Sequence, residues 1–125
     1  MLKQVYCFGN PYIQCDNKAI KIAKRLEKKL PEVEFYYIDN TYKILDINLK
    51  NSVFIDIAKG IKKVILIDSN GLTFKPINTL HDFDLNFFLK LNNQKIKIIA
   101  IPFHYPIKKA LTETEEIIMS LSNPL

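Results

Sequence analysis

The stretch from Gln4 to Ile38 constrains the fold more than any other part of the chain. Gln4 to Phe8 is a short apolar run ended by the breaker cluster Gly9-Asn10-Pro11, so it reads as a buried strand followed by a loop to about Asp16. From Asn17 to Leu30, Ile20, Ala23, Leu26 and Leu30 recur at helical spacing, with Ala19 and Ile22 beside them. Lys18, Lys21, Lys24, Arg25, Lys28 and Lys29 take the other faces, and Pro31 stops the helix. Val33-Glu34-Phe35-Tyr36-Tyr37-Ile38 is β-branched and aromatic, the composition of a second strand. Two strands joined through a helix pair in parallel, which commits the domain to a sheet with helices packed on it.

The rest of the chain extends that plan. Tyr42 to Leu49 fits neither period and stays unassigned. Ser52 to Ile57 is a third strand whose apolar run is broken by Asp56. Lys63 to Asp68 is a fourth, and the short connection through Gly60 predicts an antiparallel turn between the two. After the turn Ser69-Asn70-Gly71, residues 72–80 read as irregular and 82–91 as a helix with Phe83, Phe87, Phe88 and Leu91 inward. Residues 95–103 read as the last strand. Residues 106–121 read as a closing helix, with Pro106 in its first turn and Ile107, Leu111, Ile117, Ile118 and Leu121 inward. The expected architecture is one domain over 1–125, a three-layer α/β/α fold. Its central twisted sheet has about five strands and is mostly parallel, with one antiparallel edge strand.

Composition removes several function classes. The net charge is +5, yet seventeen of the eighteen cations are Lys and only Arg25 can offer a guanidinium fork, so no nucleic-acid partner is expected. No apolar run approaches the ~20 residues of a membrane-spanning helix. The amino-terminal residues lack a signal-peptide layout, so no membrane partner and a cytoplasmic location are expected. Two cysteines, Cys7 and Cys15, without CxxC spacing, suit reduced thiols. The three glycines, Gly9, Gly60 and Gly71, build neither GxGxxG nor a P-loop, which disfavours a nucleotide or flavin domain.

In open α/β sheets ligands bind outside the carboxyl ends of the strands, and three segments bring polar residues there. Asp16 is placed both to cap the first helix and to face a ligand. Asp56 interrupts an apolar strand, where a carboxylate is costly unless it is paired, bound to an ion or at the strand's end. His81 stands at the entrance to a helix, as many non-functional histidines do. Two carboxylates and an imidazole suit a divalent ion such as nickel or zinc. Cys7 reads as a core filler. Cys15 is either incidental or a thiol activated by a helix N-terminus, and His104 is either packed or on the surface.

The segment Val5-Tyr6-Cys7-Phe8-Gly9-Asn10-Pro11-Tyr12-Ile13-Gln14-Cys15-Asp16 resembles the start of the nickel-iron hydrogenase maturation endopeptidases. In that family a strand is followed by Gly-Asn, four variable residues and an acidic pair before glycine. Phe54-Ile55-Asp56 is similar to the family's second ligand motif and His81 to its third. Similarity of order covers nearly the whole chain. The resemblance implies a protease that removes the C-terminal extension of a hydrogenase large-subunit precursor after nickel insertion. Asp16, Asp56 and His81 would bind the precursor's nickel, with zinc or cadmium as substitute ions, and Asp16 and Asp56 would be catalytic. Where the family has its acidic pair and glycine, this chain has Cys15-Asp16-Asn17. The alternative is therefore a non-catalytic assembly factor of the same fold that binds the metal or the precursor.

Overall fold

The computed structural model describes residues 2, 4–8, 17–38, 51–68, 78–79 and 97–122. In chain order the elements are β1 (Gln4–Phe8), α1 (Asn17–Lys29), β2 (Glu34–Ile38), β3 (Ser52–Lys59), β4 (Ile65–Asp68), β5 (Asn78–Thr79), β6 (Lys97–Pro102) and α2 (Ile107–Ser122). The main strand order is β2-β1-β3-β6-β4. β1 pairs in parallel with β2 from Gln4↔Glu34 to Phe8↔Ile38, and β3 pairs in parallel with β6 from Phe54↔Ile98 to Ala58↔Pro102. β4 is the antiparallel edge. The short β5 pairs antiparallel with the end of β3, at Ala58 and Lys59. This is the mostly parallel α/β sheet that the opening βαβ unit demands.

Central strands of such a sheet are covered on both sides, so their sequences read as unbroken apolar runs. Val53, Ile55 and Ile57 of β3 join Val5 and Cys7 of β1 and Ile99 and Ile101 of β6 on one face, against Ala19, Ile20, Ile22, Ala23 and Leu26 of α1 and Ala110 and Ile118 of α2. Burying a Leu or Ile side chain completely contributes about 1.5–3 kcal/mol, so this face supplies a large share of the fold's stability. The opposite face carries Tyr6, Phe8, Phe54, Asp56, Ala58, Ile98 and Ala100, all of them buried as well. Its aromatic rings are in contact: Phe54 lies 5.5 Å from both Tyr6 and Phe8, and Tyr6 stacks on Tyr36 of β2 at 5.2 Å. Both described helices lie on the first face. The predicted helix over 82–91, the third layer it would build and the unassigned segment 42–49 lie outside the described residues.

Three expectations are refined. β4 does run antiparallel, but its partner is β6 and not β3, because the last strand occupies the β3 edge that a hairpin would need. Residues 72–80, read as irregular, contain β5. The α2 stripe is centred on Ala110, Thr114 and Ile118, with Ile107, Leu111, Ile117 and Leu121 half-buried beside it; small side chains at i and i+4 let the helix approach closely. β3 is entered and left through left-handed backbone, at Asn51 (φ 61°) and Gly60 (φ 86°). Asn and Gly tolerate that region best. No described helix is long and apolar enough to cross a membrane.

Candidate functional site

β1 leads through α1 to β2 on one side, while β3 lies on its other side, so the strand order reverses between β1 and β3. Open α/β sheets bind ligands at such a reversal, outside the carboxyl ends of the strands. The β1–β3 pairing ends at Cys7↔Ile55, and the next residue of β3 is Asp56. Sequence reasoning ended this strand at Ile57, whereas it runs on to Lys59 by pairing with β5 and β6. Asp56 is therefore interior to its strand, yet it stands just past the boundary at which β1 departs.

The same register explains how part of the carboxylate is used. The Asn51 carbonyl accepts from Gln4 N–H on the β1 side, and the Ala58 carbonyl accepts from Phe103 N–H on the β6 side, at 3.2 and 3.0 Å. Backbone groups alternate sides along a strand, so the Ile57 amide points toward the β1 side. There β1 pairs only as far as Ile55 and β5 begins only at Ala58. Asp56 Oδ1 fills the gap, accepting from Ile57 N–H at 2.8 Å. The carboxylate is 1% exposed. Along its face it neighbours Phe54 and Ala58 on β3, and it is in register with Ala100 on β6.

The Asp56 charge is felt across the strand. Burial pushes the Cys7 thiol up from its ordinary range, and the nearby carboxylate pushes it further, so Cys7 is a packed thiol and no nucleophile. The amino-terminal turn of α1 reaches the carboxyl edge too: Lys18 Nζ donates to the carbonyls of Pro102 and Phe103, both at 3.4 Å, and burial lowers its pKa. Sequence periodicity assigned Lys18 only to the polar side of a helix and gave no sign of this anchorage. Beyond β3 and β6, Gly60, Ile61, Phe103 and His104 line an open depression of about 410 Å³. His104 is exposed and packs edge-on to the Phe103 ring at 4.5 Å.

Of the three candidate ligands, Asp56 is placed at the carboxyl edge. Asp16, the residue before α1, and His81 lie outside the described residues, as does Cys15. Among the described residues no three His, Cys, Asp or Glu side chains form a group that could hold a metal ion. Chemically, Asp56 supplies a hard anionic oxygen donor, suited to a divalent ion or to accepting a proton. No family model, no curated protein and no solved structure matches the chain.

Proposed function

We propose that this protein is an endopeptidase that removes the C-terminal extension of a nickel-iron hydrogenase large-subunit precursor after nickel insertion. The observation that supports this reading is the placement of Asp56, a buried carboxylate where the strand order of a mostly parallel α/β sheet reverses, in the segment Phe54-Ile55-Asp56 that resembles the family's second ligand motif. In this reading the nickel belongs to the substrate. Asp56, with Asp16 and His81, binds it and so senses that the precursor is loaded. Nickel supplies Lewis acidity toward the scissile carbonyl, and a carboxylate activates the attacking water. Oxygen and imidazole donors suit nickel, and they suit zinc or cadmium as substitutes.

The test is incubation of the protein with a nickel-loaded precursor, with the large-subunit mass followed by mass spectrometry. Shortening by the C-terminal extension is expected, and Asp56→Asn is expected to abolish it. No shortening of a precursor that another protease of the family does cut would overturn the reading. Wild-type binding without cutting selects a non-catalytic assembly factor instead, the outcome that Cys15-Asp16-Asn17 in place of an acidic pair and glycine would favour.

A further inference from the structure

The net charge of the chain is concentrated on one helix. α1 holds six of the eighteen cations and one of the thirteen anions, so twelve of each remain elsewhere and the rest of the chain is electroneutral. A general enrichment in lysine would spread over every exposed face. It does not: α2, packed beside α1, carries Lys108 and Lys109 against Glu113, Glu115 and Glu116. Lys21, Lys24, Arg25, Lys28 and Lys29 are all exposed. Three and four residues apart, they form one continuous stripe along the helix. Lys21 with Lys24 and Arg25, Lys24 with Lys28, and Arg25 with Lys28 and Lys29 are like-charge neighbours, each pair mildly unfavourable to the helix. Within the described residues only Lys29 of this stripe is ion-paired, to Glu115 at 3.6 Å. The fold accepts this self-repulsion on one face and balances its charge elsewhere.

We infer that the exposed face of α1 is a docking surface for an acidic helical segment of a partner protein. Three observations select that occupant among anionic ones. The apolar side of α1 is spent in the core through Ala19, Ile20, Ile22, Ala23 and Leu26, so nothing is left to insert into a bilayer. The stripe has one Arg and lies on a helix flat against the sheet, with neither the guanidinium forks nor the projecting end that read nucleic acid. The exposed cations at 21, 24, 25 and 28 repeat at i, i+3, i+4 and i+7, the spacing at which one face of a second helix presents its side chains, so an acidic helix matches the stripe charge for charge. Beside the stripe sits Tyr37, 39% exposed, with Lys24 Nζ 5.9 Å from its ring centre and its hydroxyl donating to Glu27 at 2.7 Å. A half-exposed, oriented tyrosine next to charged residues is the kind of anchor that protein interfaces favour. Lys18, one turn before Lys21, is tied to the carboxyl edge through Pro102 and Phe103, so a partner held on α1 extends toward that edge. This surface, made by the α1 cations and Tyr37, is independent of any cleavage at Asp56.

The probe is a fluorescein-labelled, glutamate-rich synthetic helix of about 20 residues, titrated with the full chain at low salt and followed by anisotropy. Lys21→Gln, Lys24→Gln, Arg25→Gln and Lys28→Gln are combined in one variant. The control combines Lys62→Gln, Lys63→Gln, Lys108→Gln and Lys109→Gln, which removes the same charge from exposed positions elsewhere. Glutamine keeps good helix propensity. The α1 variant is expected to weaken binding about tenfold or more and the control less than about twofold, with affinity falling as salt rises. Absence of wild-type binding, or equal losses in the two variants, would overturn the inference. So would tighter, α1-dependent binding to duplex DNA or to phosphatidylserine vesicles, which would assign the face to nucleic acid or to membrane. Amide shift changes in the wild-type chain on adding the peptide provide a second reading that needs no variant: confined to α1 and Tyr37 they support the site, and elsewhere they refute it.

Discussion

Replacing Asp56 by alanine and by asparagine separates two jobs of one side chain. Asp56 Oδ1 is the hydrogen-bond acceptor for the Ile57 amide, in an interval of β3 that neither β1 nor β5 spans. Alanine removes the acceptor and leaves a buried N–H unsatisfied, at a cost of about 1–3 kcal/mol. Asparagine keeps an oxygen at the same place. The prediction therefore concerns the difference between the variants: Asp56→Ala should be less stable than Asp56→Asn by about 1–3 kcal/mol. Urea unfolding followed by circular dichroism measures this, with the m value unchanged if both variants unfold from the same compact state. Hydrogen exchange localises it. The Ile57 amide should exchange about 5- to 150-fold faster in Asp56→Ala than in Asp56→Asn if opening at that bond carries the cost. Equal stabilities together with equal Ile57 protection would refute the account of Asp56 as the strand's substitute partner. Both variants should fail to process a nickel-loaded precursor, because neither retains the carboxylate.

Two further outcomes follow from the backbone and from the tyrosines. Gly60 has φ 86° and open space where a Cβ would lie, so Gly60→Ala should cost about 1–2 kcal/mol through backbone strain and without a clash, read as a lower urea midpoint at unchanged m. Tyr6, Tyr36, Tyr37 and Tyr105 all have phenols raised above the ordinary value of 10.0; for Tyr105, desolvation and then the Glu113 carboxylate, which accepts its hydroxyl at 2.5 and 2.6 Å, push it up to about 12. Because the folded state holds these protons more tightly, the associated stability is complete below pH 10 and is lost as pH rises through the folded values. Unfolding midpoints should fall between pH 10 and 12, and Tyr105→Phe should flatten that fall; a midpoint independent of pH in this window would refute it.

How much of this was readable in the sequence depended on whether the deciding contact was local. The amphipathic period of α1, its end at Pro31 and the apolar runs of β1, β3 and β6 are set by near neighbours, and each was read to within two residues. The partner of β4 was not, because a turn through Gly60 fixes the reversal of direction but not which strand lies alongside; β6, some thirty residues later, takes the place. The burial of Ala110 and Thr114 was also missed, since hydrophobic weight pointed to the larger side chains around them. Asp56 stood out because a carboxylate inside an apolar strand is expensive. Its bond to Ile57 could not be foreseen, as it arises from where two other strands stop and start. Lys18 gave no signal at all: its role at Pro102 and Phe103 depends on the meeting of a helix and a strand that lie far apart in the chain.

The position of β6 between β3 and β4 sets an order of assembly. During synthesis β3 and β4 emerge well before β6, and at about 5–20 residues per second the roughly 30 residues from Asp68 to Lys97 take about 1.5–6 s to make. Until then one edge of β3 lacks its parallel neighbour and β4 has no strand to join. β3 carries Val53, Ile55 and Ile57 and β4 carries Ile65, Leu66 and Ile67, apolar and β-branched stretches of the kind prone to pair with the wrong edge. The nascent chain thus carries an open seam that closes only when its last strand is threaded between two that came earlier, and the arrival of β6 is the step at which a chaperone, or a second nascent chain, would compete with correct folding.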